Sequence, residues 1–284
     1  MKKKFKTIAL CSNSSKKHVT SIANQCYEVI SSQQIKIMVD KNLSNLTQKK
    51  MKQSKEKEII RKADLLVAIG GDGTMLNCSR VYGYKGIPIL GVNLGKLGFL
   101  TDINPKKLTS SLLKVIKGEY KKEKRSFLEA SVKGKRKKYL ALNELVVHSG
   151  SIAQLIEFDL YINESFVYRQ KADGLIISSP TGSTAYSLSG GGPIVHPELS
   201  VFILTPMLPQ SLTTSPLIVS DQSEVRIILK NQKATLSFDS HNSLLLSGKS
   251  EIKIHKADSQ LNLIHPIDHD FYEACRTKLG WSSH

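Results

Sequence analysis

Ala63-Asp64-Leu65-Leu66-Val67-Ala68-Ile69 runs directly into Gly70-Gly71-Asp72-Gly73-Thr74, and from Met75 to Tyr82 the residues have helical spacing. The first segment is apolar on both faces, the pattern of a strand covered on two sides. Three glycines in four positions let the main chain approach a phosphate chain closely, and positive φ costs them little. The helix that follows offers free N–H groups and the positive end of its dipole. In a parallel sheet, ligands collect beyond the carboxyl ends of the strands.

Moving outward from this stretch, residues 5–11 predict a first buried strand. An amphipathic helix follows, with Val19, Ile22, Ala23, Cys26 and Ile30 on one face. Ile35–Val39 is a second strand, residues 41–62 are loop and a surface helix, and Ile87–Val92 is a further apolar strand. Alternating strands and helices specify a parallel sheet with helices on both faces. Asn104, a good N-cap before Pro105, starts another helix whose inner face carries Leu108, Leu112, Leu113 and Ile116. After Gly118 the pattern changes to short strands at 127–132, 139–148, 154–162, 166–168, 174–179, 201–205, 217–219, 224–229, 234–238, 243–247 and 251–255. Lys133-Gly134 and Asn163-Glu164 read as hairpin turns. The expected organisation is an α/β domain over 1–118, a β-rich domain over 119–268, and a helical tail over 269–284 that packs back on the first domain.

The 284 residues carry a net charge of +17, which raises the question of nucleic acid. Only seven of the 41 basic residues are arginine, the side chain suited to bidentate recognition of bases and phosphates. Aromatics make up 6% and none is interleaved with the basic runs, as a stacking platform requires. The charge is therefore read as a solvated lysine surface that also attracts polyanionic substrates, with no nucleic-acid partner. No apolar run reaches the roughly 20 residues of a membrane helix, and Thr7–Cys11 is too short for a signal peptide's apolar region. A cytoplasmic protein without a membrane partner is expected. Cys11, Cys26, Cys78 and Cys275 form no zinc-type spacing and are expected to be buried thiols.

Four motifs carry chemistry. Within the phosphate loop Gly70, Gly71, Gly73 and Thr74, the acidic Asp72 would repel a phosphate, so its presence suggests a proton acceptor or a partner of Mg²⁺. A tight turn in which Asp72 caps the helix is the structural alternative. Asn93-Leu94-Gly95-Lys96-Leu97-Gly98-Phe99-Leu100 follows a strand of the same sheet and suits a loop lining a nucleotide site. Asn143-Glu144 supplies an amide and a carboxylate fitted to ribose hydroxyls. The most specific is the run from Lys171 through Asp173-Gly174-Leu175-Ile176-Ile177-Ser178 to Thr181-Gly182-Ser183-Thr184-Ala185-Tyr186-Ser187-Leu188-Ser189. Its small hydroxyl residues leave space and supply hydrogen bonds, and Tyr186 can stack on a base.

Taken together with the ending Lys278-Leu279-Gly280-Trp281, these elements resemble the bacterial NAD kinase family from about the third strand to the C-terminus. Gly-Gly-Asp-Gly alone also occurs in 6-phosphofructokinases and diacylglycerol-type lipid kinases; Thr-Gly-Ser-Thr-Ala-Tyr makes the resemblance specific. It implies an N-terminal α/β domain, a C-terminal β-sandwich, and transfer of the ATP terminal phosphate to the adenosine 2′-hydroxyl of NAD, with Mg²⁺ carried by ATP. It implies Asp72 as catalytic base beside Gly73. It also implies Asn143, Glu144, Asp173, Thr184, Ala185, Tyr186 and Ser189 as NAD contacts, with Ser187 and Leu188 in the same run, and Phe99 on the adenine side. Three positions depart from the pattern. Lys171 stands where related enzymes often have arginine, Gln154 where some have histidine, and Asp239-Ser240-His241 in place of Asp-x-Gln, leaving His241 a candidate contact at an altered position. Lys171 lies two residues before Asp173, so on an extended strand both would share a face near the nicotinamide. Members of the family are homo-oligomers, so a homodimer or homotetramer is expected, with part of the grip on ATP coming from a neighbouring subunit. The competing readings are another Gly-Gly-Asp-Gly kinase, acting on a sugar phosphate or lipid, and a non-catalytic nucleotide-binding regulator.

Overall fold

The computed structural model describes residues 5–43, 53–95, 97–150, 154–230, 233–239 and 242–281. Contacts divide the chain into two compact units, Met1–Lys124 with Gln260–His284, and Arg125–Ser259.

In the first unit, β1 (Thr7–Cys11), α1 (Lys17–Ser31), β2 (Lys36–Val39), α2 (Glu56–Lys62), β3 (Leu65–Ile69), α3 (Asp72–Val81), β4 (Ile89–Val92) and α4 (Leu108–Lys117) alternate as the apolar spacing requires. The strands pair in parallel in the order β2-β1-β3-β4. All five residues of β3 are buried, as expected of a strand covered on both faces. Val19, Ile22, Ala23, Cys26 and Ile30 of α1 and Leu108, Leu112, Val115 and Ile116 of α4 pack on β1 and β3 in one apolar cluster. Asn104 accepts the N–H of Lys106 ahead of Pro105, which opens a short 3₁₀ turn before α4. Val115 takes the fully buried place expected for Leu113, which is only partly buried.

The second unit is built from β5 (Tyr120–Val132), β6 (Tyr139–Ala141), β7 (Glu144–His148), β8 (Ile156–Ile162), β9 (Ser165–Ala172), β10 (Gly174–Ser178), the one-turn helix α5 (Tyr186–Ser189), β11 (Val201–Met207), β12 (Leu217–Ser220), β13 (Val225–Leu229), β14 (Ala234–Phe238), β15 (Asn242–Leu246) and the first part of β16 (Glu251–Pro266). One antiparallel sheet runs β12-β11-β10-β7-β14-β15. Against it, β16, β13, β8 and β9 pair antiparallel. Leu145, Val147, Leu175, Ile177, Phe202 and Leu204 of the first sheet share a core with Phe158, Leu160, Val225, Ile227, Ile252 and Ile254 of the second. Alternation of inward apolar residues on both sheets makes this a sandwich. Asn163 and Glu164 both adopt positive φ, 49° and 67°, so they form the tight two-residue hairpin expected between β8 and β9. Lys133-Gly134 instead opens a longer connection, because β6 begins only at Tyr139.

The last strand departs from its expected end at 255. β16 continues to Pro266, and Leu263 and Ile264 pair in parallel with Ile89 and Leu90 of β4. The helix α6 (Phe271–Leu279), capped by Asp270, completes the first unit. All four cysteines are free and buried.

Candidate active site

The candidate residues fall into two groups, one in each unit. In the first, Gly71 is the N-cap of α3 and Asp72 its first residue. The helix starts three residues earlier than its apolar spacing indicated, because Asp72, Gly73 and Thr74 are polar or small yet already helical. Gly71 has φ of −91°, so glycine is not there for a left-handed backbone. A Cβ at Gly71 or Gly73 would meet nothing within 4 Å, which leaves this face of the turn open to a ligand.

Asp72 does more than end a turn. Its carboxylate accepts the main-chain N–H of Phe99 at 3.2 Å and of Leu100 at 3.0 Å. A Cβ at Gly98 would stand 2.2 Å from Asp72 Oδ1 and 2.4 Å from Thr101 Oγ1, so the loop comes this close only because residue 98 is glycine. The loop after β4 is thus tied to the turn after β3, its neighbour in the sheet. Asn93, fully buried, accepts the N–H of Gly95 at 2.9 Å and steadies the start of that loop. Phe99 is partly exposed beside these groups. Sequence reasoning passed over Asn13 and Asn77. Asn77 donates to Asn13 Oδ1 at 2.9 Å, and Asn13 donates to the Gly73 carbonyl at 3.4 Å. Asn13 follows β1 at the same sheet edge, and that position was the available signal.

The second group is organised by Asp239, which is 1% exposed and accepts the N–H groups of Leu142 and Asn143, the latter at 2.8 Å. Asp239 in turn donates its own N–H to the Glu144 carbonyl. This fixes the start of β7, whose Glu144 pairs with Ser178 of β10. The Asn143 carbonyl accepts from the Ser179 N–H at 2.9 Å and the Ser178 hydroxyl at 3.2 Å. A Cβ at Gly182 would lie 2.3 Å from that same carbonyl oxygen, so Gly182 too is a close-approach glycine. Asn143 Oδ1 is buried and finds no hydrogen-bond partner among the described residues.

Thr181–Thr184 forms a 3₁₀ turn leading through Ala185 into α5. Ser183 exchanges hydrogen bonds with the Val195 main chain, and buried Arg125 donates to Thr181 at 3.2 Å. The ordered hydroxyls therefore hold the turn, while Thr184, Ala185 and Leu188 are part-exposed and Ser189 is exposed. Tyr186 is 41% exposed, a large ring left without burial. Ser187 differs from its neighbours. It is fully buried and its hydroxyl meets Thr205 at 3.1 Å, so its side chain braces α5.

Lys171 and Asp173 do not share a strand face. Lys171 is the residue before the last of β9, opposite Glu157 of β8 with 4.0 Å between the charges, whereas Asp173 lies where the chain leaves that sheet for β10 in the other. Alternation along a strand does not survive a change of sheet. Gln154 is exposed and lines a cavity of about 500 Å³ with Ser149, Gly150, Lys233 and Thr235. His241 lies outside the described residues.

A glycine turn with an acidic residue at the carboxyl edge of a parallel sheet, together with an ordered hydroxyl-rich turn and an exposed aromatic, defines a nucleotide-dependent phosphotransferase. The family models of the ATP-NAD kinase N-terminal domain and C-terminal domain match residues 8–120 and 142–266. The chain belongs to the ATP-NAD kinase family. It is 39% identical to an NAD kinase of Teredinibacter turnerae over 99% of this chain and 98% of that protein. It is 44% identical to one of Azotobacter vinelandii over 81% of this chain and 80% of that protein. Among solved structures, yeast NADH kinase complexed with NADH is similar with a TM-score of 0.91 and 27% identity, covering 99% of this chain and 89% of that one. An NAD kinase from Archaeoglobus fulgidus in complex with ATP is similar with a TM-score of 0.77 and 26% identity, covering 98% and 100%.

Proposed function

We propose that this protein transfers the terminal phosphate of ATP to the 2′-hydroxyl of the adenosine ribose of NAD, yielding NADP. The observation that carries the substrate assignment is Asn143. A buried amide oxygen left without a donor costs about 1–3 kcal/mol, a cost expected where a ligand supplies the missing hydrogen bond. Asn143 and Glu144 grip ribose hydroxyls, and Tyr186 stacks on a base. Asp173, Thr184, Ala185, Leu188 and Ser189 complete the NAD contacts, Gln154, Lys171 and His241 are further candidate contacts, and Phe99 covers the adenine side.

Phosphoryl transfer asks a protein mainly to position reactants and to neutralise charge. Asp72 orients the ribose hydroxyl and accepts its proton. Two of its acceptor sites are occupied by Phe99 and Leu100, which lock the carboxylate in one rotamer, and its remaining lone pairs stay available. The open glycine turn at 70–74 receives the phosphates. A carboxylate beside main-chain groups is an oxygen donor set compatible with Mg²⁺ or a similar hard cation. Carried by ATP, that cation neutralises phosphate charge when bound. Among the described residues no helix is long and apolar enough to cross a membrane, and a cytoplasmic homo-oligomer is the reading we adopt.

The test is incubation with ATP, Mg²⁺ and NAD, followed by detection of NADP, with fructose 6-phosphate and diacylglycerol as competing acceptors. Phosphorylation of either in place of NAD would overturn the assignment. Sedimentation of the same sample reports the oligomer.

A further inference from the structure

Four titratable side chains of the first unit, distant in sequence, converge outside the groups described above. Asp102 follows the loop after β4, Glu123 lies in the first part of β5, His265 is near the end of β16, and His269 precedes α6. The two oxygens of the Asp102 carboxylate each face one imidazole, Oδ2 at 2.5 Å from His265 Nδ1 and Oδ1 at 2.8 Å from His269 Nδ1. The two rings stack with centroids 4.0 Å apart. The His265 and Asp102 side chains are only 2% and 8% exposed.

We propose that Asp102, His265 and His269 bind a divalent first-row transition ion of Zn²⁺ type, with Glu123 as the outer carboxylate that orients His265. Three features favour an ion over a plain hydrogen-bonded network. The ligand atoms of the three residues lie within 4.8 Å of one another, and both histidines present Nδ1 to the same carboxylate. Glu123 Oε2 stands 3.0 Å from Nε2 on the far side of the His265 ring, within reach of the carboxylate–histidine pairing that fixes the tautomer of a metal ligand. Asp102 and His269 also line a cavity of about 630 Å³, which gives an ion a route in and leaves a coordination position for water.

Two imidazoles and one carboxylate suit zinc and its neighbours rather than Mg²⁺ or Ca²⁺, which prefer oxygen. Tetrahedral ligands about 2.1 Å from zinc stand roughly 3.4 Å apart, so the nitrogen–oxygen contacts need open by less than about 1 Å. The ion would fasten the loop after β4 to the end of β16 and to the connection leading into α6. It would also fix Asp102, two residues beyond the Leu100 N–H held by Asp72.

The experiment uses the full chain, freed of metal by chelation, without an affinity tag. Zn²⁺ is added, excess is removed by gel filtration, and retained metal is measured beside the thermal midpoint. Co²⁺ substitution reports the coordination geometry by its visible absorption. The expected result is one Zn²⁺ per chain, a raised midpoint, and a tetrahedral Co²⁺ spectrum. His269→Gln removes a ligand at a partly accessible position and should weaken binding at least 10-fold. Glu123→Gln, which keeps all three ligands, should weaken it by about 10- to 100-fold, the usual effect of losing an outer partner. If His269→Gln does not fold, as judged by circular dichroism, Glu123→Gln decides alone. Absence of retained Zn²⁺ in the original chain, or equal retention in the folded variants, overturns the site and leaves an ion-paired network.

Discussion

The carboxylate of Asp72 accepts the main-chain N–H of Leu100 at 3.0 Å, across 28 positions of sequence. The residue proposed to receive the ribose proton is therefore also the tie between two loops of one sheet. A carboxylate can do both, because it has about four lone-pair sites and the two amides use two of them. Its neighbours set its direction before any substrate arrives, which is the condition for positioning to contribute to rate.

Replacing Asp72 with asparagine tests both roles. The amide keeps one oxygen and turns its NH₂ toward a main-chain N–H. Loss of one charge-assisted hydrogen bond should lower stability by about 1–3 kcal/mol. Turnover should fall by about 10² or more, the scale of acid–base effects. NADP formation and denaturant unfolding of the same preparations check this, and near-normal turnover would leave Asp72 a structural tie alone.

Gly98→Ala should act on the same carboxylate from outside it. The new methyl would lie 2.2 Å from Oδ1, so either Asp72 or the loop must move. A displacement of about 1 Å can cost up to roughly 10²-fold in rate. We expect turnover to drop at least 10-fold while the fold, followed by circular dichroism, remains. A fully active Gly98→Ala would mean that the position of Asp72 in this tie does not matter to the reaction.

Tyr186→Ala should separate binding from chemistry. The ring is 41% exposed, so its loss should leave stability within about 0.5 kcal/mol. Stacking on a base is worth about 1–3 kcal/mol, and it acts on substrate and transition state alike. KM for NAD should rise on the order of 10- to 100-fold with little change in kcat. An unchanged KM with a collapsed kcat would contradict stacking.

His148 gives the fold an acid-side limit. Its Nδ1 accepts the Gly150 N–H at 3.1 Å, so Nε2 carries the proton toward Ser237 Oγ at 2.8 Å. Burial lowers its pKa below the ordinary histidine value. The folded protein thus holds it neutral, and the unfolded chain takes up the proton first as pH falls. Its contribution is complete above about pH 6.5 and is lost as pH drops through the lower folded value. Stability of the original chain should fall more steeply between pH 7 and 5 than that of His148→Gln. Parallel curves in denaturant titrations would remove His148 from the acid response.

Much of this protein was determined by sequence acting locally. The apolar run 65–69 must be covered on both faces, and its alternation with helices places it in a parallel sheet, while Asn163 readily takes the positive φ that a two-residue hairpin asks for. The run of small residues from Thr181 to Ser189, with Tyr186 and Leu188 embedded in it, likewise specifies an ordered turn. Tertiary structure decided what depends on partners distant in sequence. Gly98 must be glycine because Asp72 comes to it from another strand end. Ser187 turns inward because Thr205 waits there, although its neighbours in the same motif face outward. Lys171 and Asp173 part company because the chain changes sheet between them, and strand periodicity holds only while one ladder of hydrogen bonds keeps the pleat. Asp239 is one carboxylate among many in the sequence. It organises Leu142 and Asn143 because the fold buries it where two main-chain N–H groups need an acceptor.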